Sequence, residues 1–280
     1  MRTLRYVVVD VFTDRPLAGN QLAVFTDGRD VEPETMQALA LEIGFSETVF
    51  VLPAEAGGDV RIRIFTPRVE LPFAGHPVLG AAFVLAAPLQ RAVISLETGS
   101  GVVPVQLERD AAGSLVFGRM SQPVPTVEPY PDPEALLRAL GIEKSILPLE
   151  RYDNGVRHSF VALALRDEVA ALRPDAAALA ELEVMVSCFA GSGTSWKTRM
   201  FAPSDGVVED AATGSAAGPL VCHLCRHGLV PWGTEIEIAQ GAEIGRPSTL
   251  YARAAGENGT IERVEVGGRA VVVARGEFRI

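Results

Sequence analysis

Cysteine is scarce in this chain of 280 residues: Cys188, Cys222 and Cys225 are the whole set, odd and sparse, so no disulfide framework is expected. Positive charge is also short. Lys and Arg total 25 against 35 Asp and Glu, a formal net charge of −10, and no basic cluster exceeds a pair, so nothing builds the stripe that a nucleic-acid backbone requires. No apolar run reaches bilayer-spanning length. The opening Met1-Arg2-Thr3-Leu4-Arg5-Tyr6 runs straight into Val7-Val8-Val9, too short an apolar stretch for a signal peptide and without a small-residue cleavage site, so the cytoplasm is the expected compartment and no membrane partner is expected. Two catalytic signatures are missing as well. No G-x-G-x-x-G opens a helix and no G-x-S-x-G elbow occurs, which removes support for dinucleotide and serine-hydrolase chemistry. Gly191-Ser192-Gly193-Thr194-Ser195-Trp196-Lys197-Thr198 approaches a phosphate loop, but Trp196 occupies the glycine position before the lysine and a strand follows. No cofactor is expected.

What is present is an ordinary folded composition, 48% hydrophobic and 21% charged, with enough length for two domains. One unusual passage occurs twice. Arg63-Ile64-Phe65-Thr66-Pro67 leads to Glu70 and then Ala74-Gly75-His76; Arg199-Met200-Phe201-Ala202-Pro203 leads to Glu209-Asp210 and then Thr213-Gly214-Ser215. The offsets are 201−65 = 136 and 214−75 = 139, and weaker echoes pair Val24 with Phe160 and Leu96 with Ile238. Two copies indicate a duplicated domain rather than a solenoid, and a duplicated unit is expected to take its ligand where the halves meet.

Strand and helix signals alternate within each copy. Tyr6 to Phe12 and Leu22 to Phe25 read as strands, and Met36, Leu39, Ala40 and Ile43 form a helical stripe stopped by Gly44. Phe45 to Leu52 and Arg61 to Phe65 are strands, Pro77 to Ala87 a helix with proline at its favoured first position, and three further strands close the half near Arg119. The proline-rich stretch from Ser121 to Pro133 reads as a linker, so the division expected is 1–121 and 122–280, with the last strand free to cross back. Beyond it come a strand at Ser159 to Leu165, helices around Asp175 to Leu182 and Ser215 to His227, and strands to the C-terminus. Many short strands with one or two helices per half fit an α+β fold in which a strongly curved sheet wraps a helix, not a doubly wound sheet.

Four groups could carry chemistry. A strand period of two places Glu47 on one face with Phe45, Val49 and Val51, where desolvation would raise its pKa toward proton-transfer range; an edge-strand glutamate reaching solvent fits the same pattern. His76, read as the N-cap before Pro77, is a poor capping residue, and the Gly75 and His76 amides would face an anion; a buried, satisfied ring is the alternative. Asp210 and Ser215 bracket the second helix start and fit plain capping roles, yet two equivalent helix starts, each with a glycine, make paired donor nests suited to a carboxylate. Cys222, His223, Cys225 and His227 suggest a metal cluster, but no second pair completes four ligands, so small buried thiols are the simpler reading.

At these residues the chain resembles the PhzF family of phenazine biosynthesis-like isomerases. The motifs are Gly19-Asn20-Gln21-Leu22-Ala23-Val24-Phe25, Gly44-Phe45-Ser46-Glu47-Thr48, Phe65-Thr66-Pro67 with Glu70 to Pro77, Glu209 to Gly218, and Gln240-Gly241 with Gly245-Arg246-Pro247-Ser248. The resemblance implies a diaminopimelate epimerase-like fold of two pseudo-symmetric halves, each a mostly antiparallel curved sheet around a central helix. It further implies Glu47 as acid/base, His76 and Asp210 as catalytic partners, and Gly75, Gly214, Ser215, Asn20 and Ser46 as substrate-binding positions. A cofactor-free isomerase moving a proton within a small carboxylate is implied, as a homodimer. The epimerases place cysteines where this chain has Ala74 and Thr213, which disfavours two-thiol racemisation. Ala211 and Gln21 stand where relatives often have proline. An amino-acid racemase or a noncatalytic binding protein remain the alternatives.

Overall fold

The computed structural model describes residues 2–87, 90–257 and 259–280. The chain divides into two units: Met1–Ser121 with Gly267–Ile280, and Gln122–Val266. Unit 1 runs β1 (Thr3–Val11), β2 (Asn20–Phe25), α1 (Pro33–Ile43), β3 (Glu47–Leu52), β4 (Val60–Phe65), β5 (Glu70–Leu71), α2 (Gly75–Ala86), β6 (Val93–Thr98), β7 (Gly101–Arg109) and β8 (Leu115–Gln122). β1 and β2 are antiparallel, β2 and β3 parallel, β3 and β4 antiparallel; β4 then pairs antiparallel with β5 and parallel with β6. The meander β6, β7, β8 is antiparallel throughout. α2 carries no charged residue and buries ten of its residues, including Val78, Leu79 and Phe83, so it has no solvent face to offer and sits within the sheet's curve against β1, β2, β3, β6 and β7. Gly80 permits that approach, because a Cβ there would lie 2.7 Å from Leu22 Cδ2.

Unit 2 repeats the plan with β9 (Thr126–Pro129), α3 (Pro133–Leu140), β10 (Glu150–Asp153), β11 (Arg157–Ala162), α4 (Arg166–Ala171), α5 (Ala176–Glu181), β12 (Val186–Ser192), β13 (Ser195–Ala202), β14 (Val207–Asp210), α6 (Gly214–Arg226), β15 (Ile236–Gln240), β16 (Ser248–Glu257) and β17 (Thr260–Gly268). β11 and β12 are parallel, β12 and β13 antiparallel, and β13 pairs antiparallel with β14 and parallel with β15, the same succession as β2 to β6. α6 takes the place of α2 and buries every residue from Gly214 to Cys225. The repeat extends to side chains. Arg63 holds Glu70 through Nε and Nη2 at 2.7 and 2.6 Å and stacks over Phe65 at 5.1 Å; Arg199 holds Glu209 at 2.9 and 2.7 Å and stacks over Phe201 at 5.1 Å. The final strand, β18 (Ala270–Arg279), belongs to unit 1 and pairs antiparallel with β1.

The fold is thus α+β, built of curved, mostly antiparallel sheets with few helices, as the strand count implies. Two local readings are corrected. The proline-rich stretch from Ser121 to Pro133 is not a bare linker: it contains β9, which pairs only with β10 among the registers seen, and an edge strand tolerates proline because one side of it donates no ladder bonds. Both central helices also begin earlier than read, α2 by two residues and α6 by one. Ala74 and Thr213 are the N-caps, so His76 and Ser215 lie inside the first turn and Pro77 at the third position. No helix of the described residues is long and apolar enough to cross a membrane.

Candidate active site

In unit 1 the sequence builds one polar cluster at the start of α2. Gly19 turns the chain into β2 with φ +68, and a Cβ there would fall 2.3 Å from Val11 O, so only glycine delivers Asn20 to this point. Asp10 steadies the preceding loop by accepting the Leu17 N–H at 2.7 Å. The parallel register of β2 and β3 sets Leu22 opposite Glu47, which brings Asn20 beside Ser46 and Glu47 at the mouth of β3. Ser46 Oγ donates to Asn20 Oδ1 at 3.2 Å, Asn20 Nδ2 lies 3.3 Å from His76 Nδ1, and His76 Nε2 lies 3.3 Å from Glu47 Oε2.

The order of donors has a consequence for the imidazole. An amide N–H aimed at Nδ1 requires a lone pair there, so the neutral ring carries its proton on Nε2, the atom facing Glu47. Glu47 itself is 17% exposed and its pKa is raised to about 7 by burial, partly offset by hydrogen bonding from Ser46. The alternating-face argument for that burial needs correction: Phe45 precedes the strand, and Thr48, Val49, Phe50 and Val51 are all buried, so both faces of β3 are covered. Gly75 and His76 occupy the first turn of α2, whose amides have no acceptor within the helix ladder, and Pro77 brings no amide at all.

In unit 2 the start of α6 holds Asp210, Thr213, Gly214 and Ser215. Thr213 Oγ1 donates to Asp210 Oδ2 at 2.6 Å; Gln240 accepts the Thr213 N–H at 3.2 Å and donates to Asp210 O and Thr213 Oγ1, both at 2.9 Å. Gly241 makes that bridge possible with φ +77, since a Cβ would meet Ala211 O at 2.5 Å. Pro219, inside α6, cannot donate to the carbonyl of Ser215 four residues back. Asn154 Nδ2 supplies that bond at 3.0 Å, and Gln122 Nε2 donates to the neighbouring Gly214 O at 2.8 Å. Ser215 Oγ in turn lies 3.1 Å from Nε2 of the fully buried His158. Asn20, Ser46, His76, Asp210 and Ser215 therefore each make a side-chain hydrogen bond within their own unit. Sequence reasoning did not single out Asn154, His158 or Gln122; the proline within the α6 segment was the available signal that one carbonyl, that of Ser215, would need an outside donor.

The histidines of the Cys222 to His227 segment do meet a carboxylate that the spacing could not reveal. Glu150 Oε2 lies 3.1 Å from His223 Nδ1 and 3.0 Å from His227 Nε2, with Arg226 Nη1 and Tyr152 OH each at 2.9 Å. Three groups could in principle hold a cation. A guanidinium on the same oxygen already compensates its charge, and against the upward push of burial the histidines, Tyr152 and Arg226 hold Glu150 well below the usual carboxylate range. The arrangement is a charge-balanced hub fastening the end of α6 to β10. Cys188 and Cys222 are buried and pushed up to about 12, Cys225 to about 11, values that leave them as thiols.

With this geometry in view, comparison with known proteins is direct. A family profile described as phenazine biosynthesis-like protein, PhzC-PhzF, matches residues 9–276. The chain is 52% identical over 273 residues to trans-2,3-dihydro-3-hydroxyanthranilate isomerase of Pseudomonas aeruginosa, covering 97% of this chain and 98% of that protein. Among solved structures it is similar to a phenazine biosynthesis protein of the PhzF family from Bacillus anthracis, with 25% identity, TM-score 0.87 and complete coverage of both chains. A hydroxyproline epimerase from Agrobacterium vitis shares the fold at 14% identity, TM-score 0.71, over 99% of this chain and 92% of that one. A match along nearly the whole length and a relative sharing half its residues place the chain in the phenazine biosynthesis-like (PhzF) family of isomerases.

Proposed function

We propose that the protein is a cofactor-independent isomerase that removes a proton from one carbon of a small cyclic carboxylate and returns it to another, with Glu47 as the general acid/base. The carrying observation is the Glu47 carboxyl itself, with a pKa raised to about 7 and the His76 Nε2 at 3.3 Å, a group able to take and give a proton at neutral pH. His76 is assigned to orient and stabilise that carboxylate, and Asp210 is assigned a catalytic role on the family resemblance alone. The first-turn amides at Gly75, Gly214 and Ser215, with Asn20 and Ser46, are assigned to the substrate carboxylate and to charge developing during transfer. The Pseudomonas aeruginosa relative is named for trans-2,3-dihydro-3-hydroxyanthranilate, a cyclohexadiene carboxylate, and this is the substrate we propose. Thiol-based racemisation is not supported, because neither helix start carries a cysteine and the three present are buried. A cytoplasmic homodimer is proposed on the resemblance to the family alone.

The test is turnover of that substrate in D2O. The parent enzyme is expected to place solvent deuterium on a ring carbon of the product. Glu47→Gln should lose roughly 10²- to 10⁴-fold in rate, and deuterium incorporation with it, while still binding substrate. Turnover by Glu47→Gln at the parental rate would show the base to be another group.

A further inference from the structure

His158 and Ser215 form a pair that the proposed chemistry does not yet use. The ring lies on β11, fully buried, with Nε2 3.1 Å from Ser215 Oγ and, among the described residues, no hydrogen-bond partner on Nδ1. A strand-to-helix contact of the same kind occurs in unit 1, though not at the equivalent strand position: there β2 offers an amide, Asn20, to a histidine in the first turn of α2, and here β11 offers a histidine to a hydroxyl in the first turn of α6. Burial lowers the His158 pKa to about 4, so the ring is neutral near pH 7 and holds one proton.

Where that proton resides decides what Ser215 can do. With the proton on Nδ1, a buried N–H would point at nothing, and Ser215 would have to spend its own hydroxyl proton on Nε2. With the proton on Nε2, only an acceptor lone pair is left unpaired at Nδ1, which folded proteins tolerate better than an orphaned N–H. Ser215 Oγ then accepts from His158 and its O–H is kept for something else. A carboxylate has no proton to give, so it gains a bond only from a hydroxyl in this second state. The Ser215 backbone is already fixed, its carbonyl taken by Asn154 in place of Pro219. The hydroxyl's direction is therefore the remaining freedom, and His158 removes it.

We propose that His158 is a positioning residue: by donating Nε2–H to Ser215 Oγ it makes the Ser215 hydroxyl an obligate donor to the substrate carboxylate. This rests on the proposed function in taking a carboxylate to be held at the start of α6. It goes further in assigning selection of carboxylate over neutral ligands to a residue that touches no substrate.

Two measurements test it. Nitrogen-15 NMR of the histidine-labelled enzyme reads the tautomer directly, and is expected to place the His158 proton on Nε2 at neutral pH; a proton on Nδ1 overturns the proposal. In kinetics with trans-2,3-dihydro-3-hydroxyanthranilate, His158→Leu is expected to raise KM by about 10- to 100-fold, the effect of losing a hydrogen bond to a charged group, with kcat changed by less than about threefold. Ser215→Ala should match it, the double variant should be no worse than Ser215→Ala, and His158→Gln, which keeps a donor amide, should recover most of the affinity. Binding of 3-hydroxyanthranilate and of its carboxamide gives a readout independent of turnover: the preference for the carboxylate should collapse in His158→Leu and return in His158→Gln. Additive effects of His158→Leu and Ser215→Ala, or equal losses for carboxylate and carboxamide, would reduce His158 to a core residue. If His158→Leu does not fold, the tautomer and the His158→Gln preference still decide. Full activity of Glu47→Gln would overturn the catalytic assignment without touching the tautomer, so the two failures are separable.

Discussion

A carboxyl whose pKa stands at about 7 is divided between its two protonation states at neutral pH, and burial is the principal cause at Glu47. That has a cost that is measurable without any substrate. The folded-state value lies above the 4.5 of the free side chain, so between pH 4.5 and 7 the folded protein retains a proton that the unfolded chain releases. For this group the folded state is favoured most below pH 4.5, loses ground as pH rises toward 7, and levels off above it. Glu47→Gln, neutral at every pH, should therefore gain stability over the parent at pH 8, on the order of 1–3 kcal/mol, and little at pH 4.5. Urea unfolding at the two pH values checks this; an equal difference at both would mean that Glu47 does not titrate as described. The apolar surroundings of Glu47 are legible in Phe45-Ser46-Glu47-Thr48-Val49-Phe50-Val51, but the reason is not. Alternation presumes one wet face, whereas β3 pairs parallel to β2, antiparallel to β4 and is covered on both sides.

Among the elements, the duplicated Arg-x-Phe hairpins carry the same ion pair with different weights. Arg63 and Glu70 are 19% and 42% exposed, Arg199 and Glu209 only 6% and 9%. Solvent screens the first, so Glu70→Gln should cost no more than about 1 kcal/mol. Glu209→Gln leaves a buried guanidinium without its counter-charge. The carbonyls of Val169, Ala170 and Leu172 still accept from Arg199, yet the loss should approach about 3–5 kcal/mol. Thermal or chemical unfolding of the two variants side by side checks the ratio; equal losses would contradict it. Element ends were readable where a residue has one conformational use, as with Gly44 at φ 70 closing α1. They are misread where the cap makes no side-chain bond to the helix. Pro77 suggests a helix start at its own position, but Ala74 and Thr213 cap α2 and α6 with no side-chain bond to the helix. α3, which begins where the proline-rich stretch ends, is missing from the sequence reading although Asp132, Pro133 and Gly141 mark its start and stop, with Asp132 Oδ1 accepting the Ala135 N–H at 3.0 Å.

For the whole molecule, the repeat was legible because Arg63-x-Phe65 and Arg199-x-Phe201 survive in the letters, while partners such as Gln240 with Thr213 or Asn154 with Ser215 join residues that no local period connects. The return of the C-terminal segment to unit 1 is of the same long-range kind. β18 pairs with β1 from Thr3↔Arg279 to Val11↔Ala270, and Phe278 packs on Tyr6 and Phe25. Deleting residues 267–280 should therefore strip hydrogen-exchange protection from the amides of β1 and its neighbour β2 while β11 to β13 keep theirs. Retained protection in β1 would mean that β2 suffices to hold it. The same strand sets an order of events during synthesis. A ribosome releases the chain from its N-terminus, and domains commonly fold in that order, yet everything unit 2 needs has emerged once Val266 is out, before β18 exists. The half that is translated first is thus the half that finishes last, and until it does, β1 presents an open strand edge to the crowded cell.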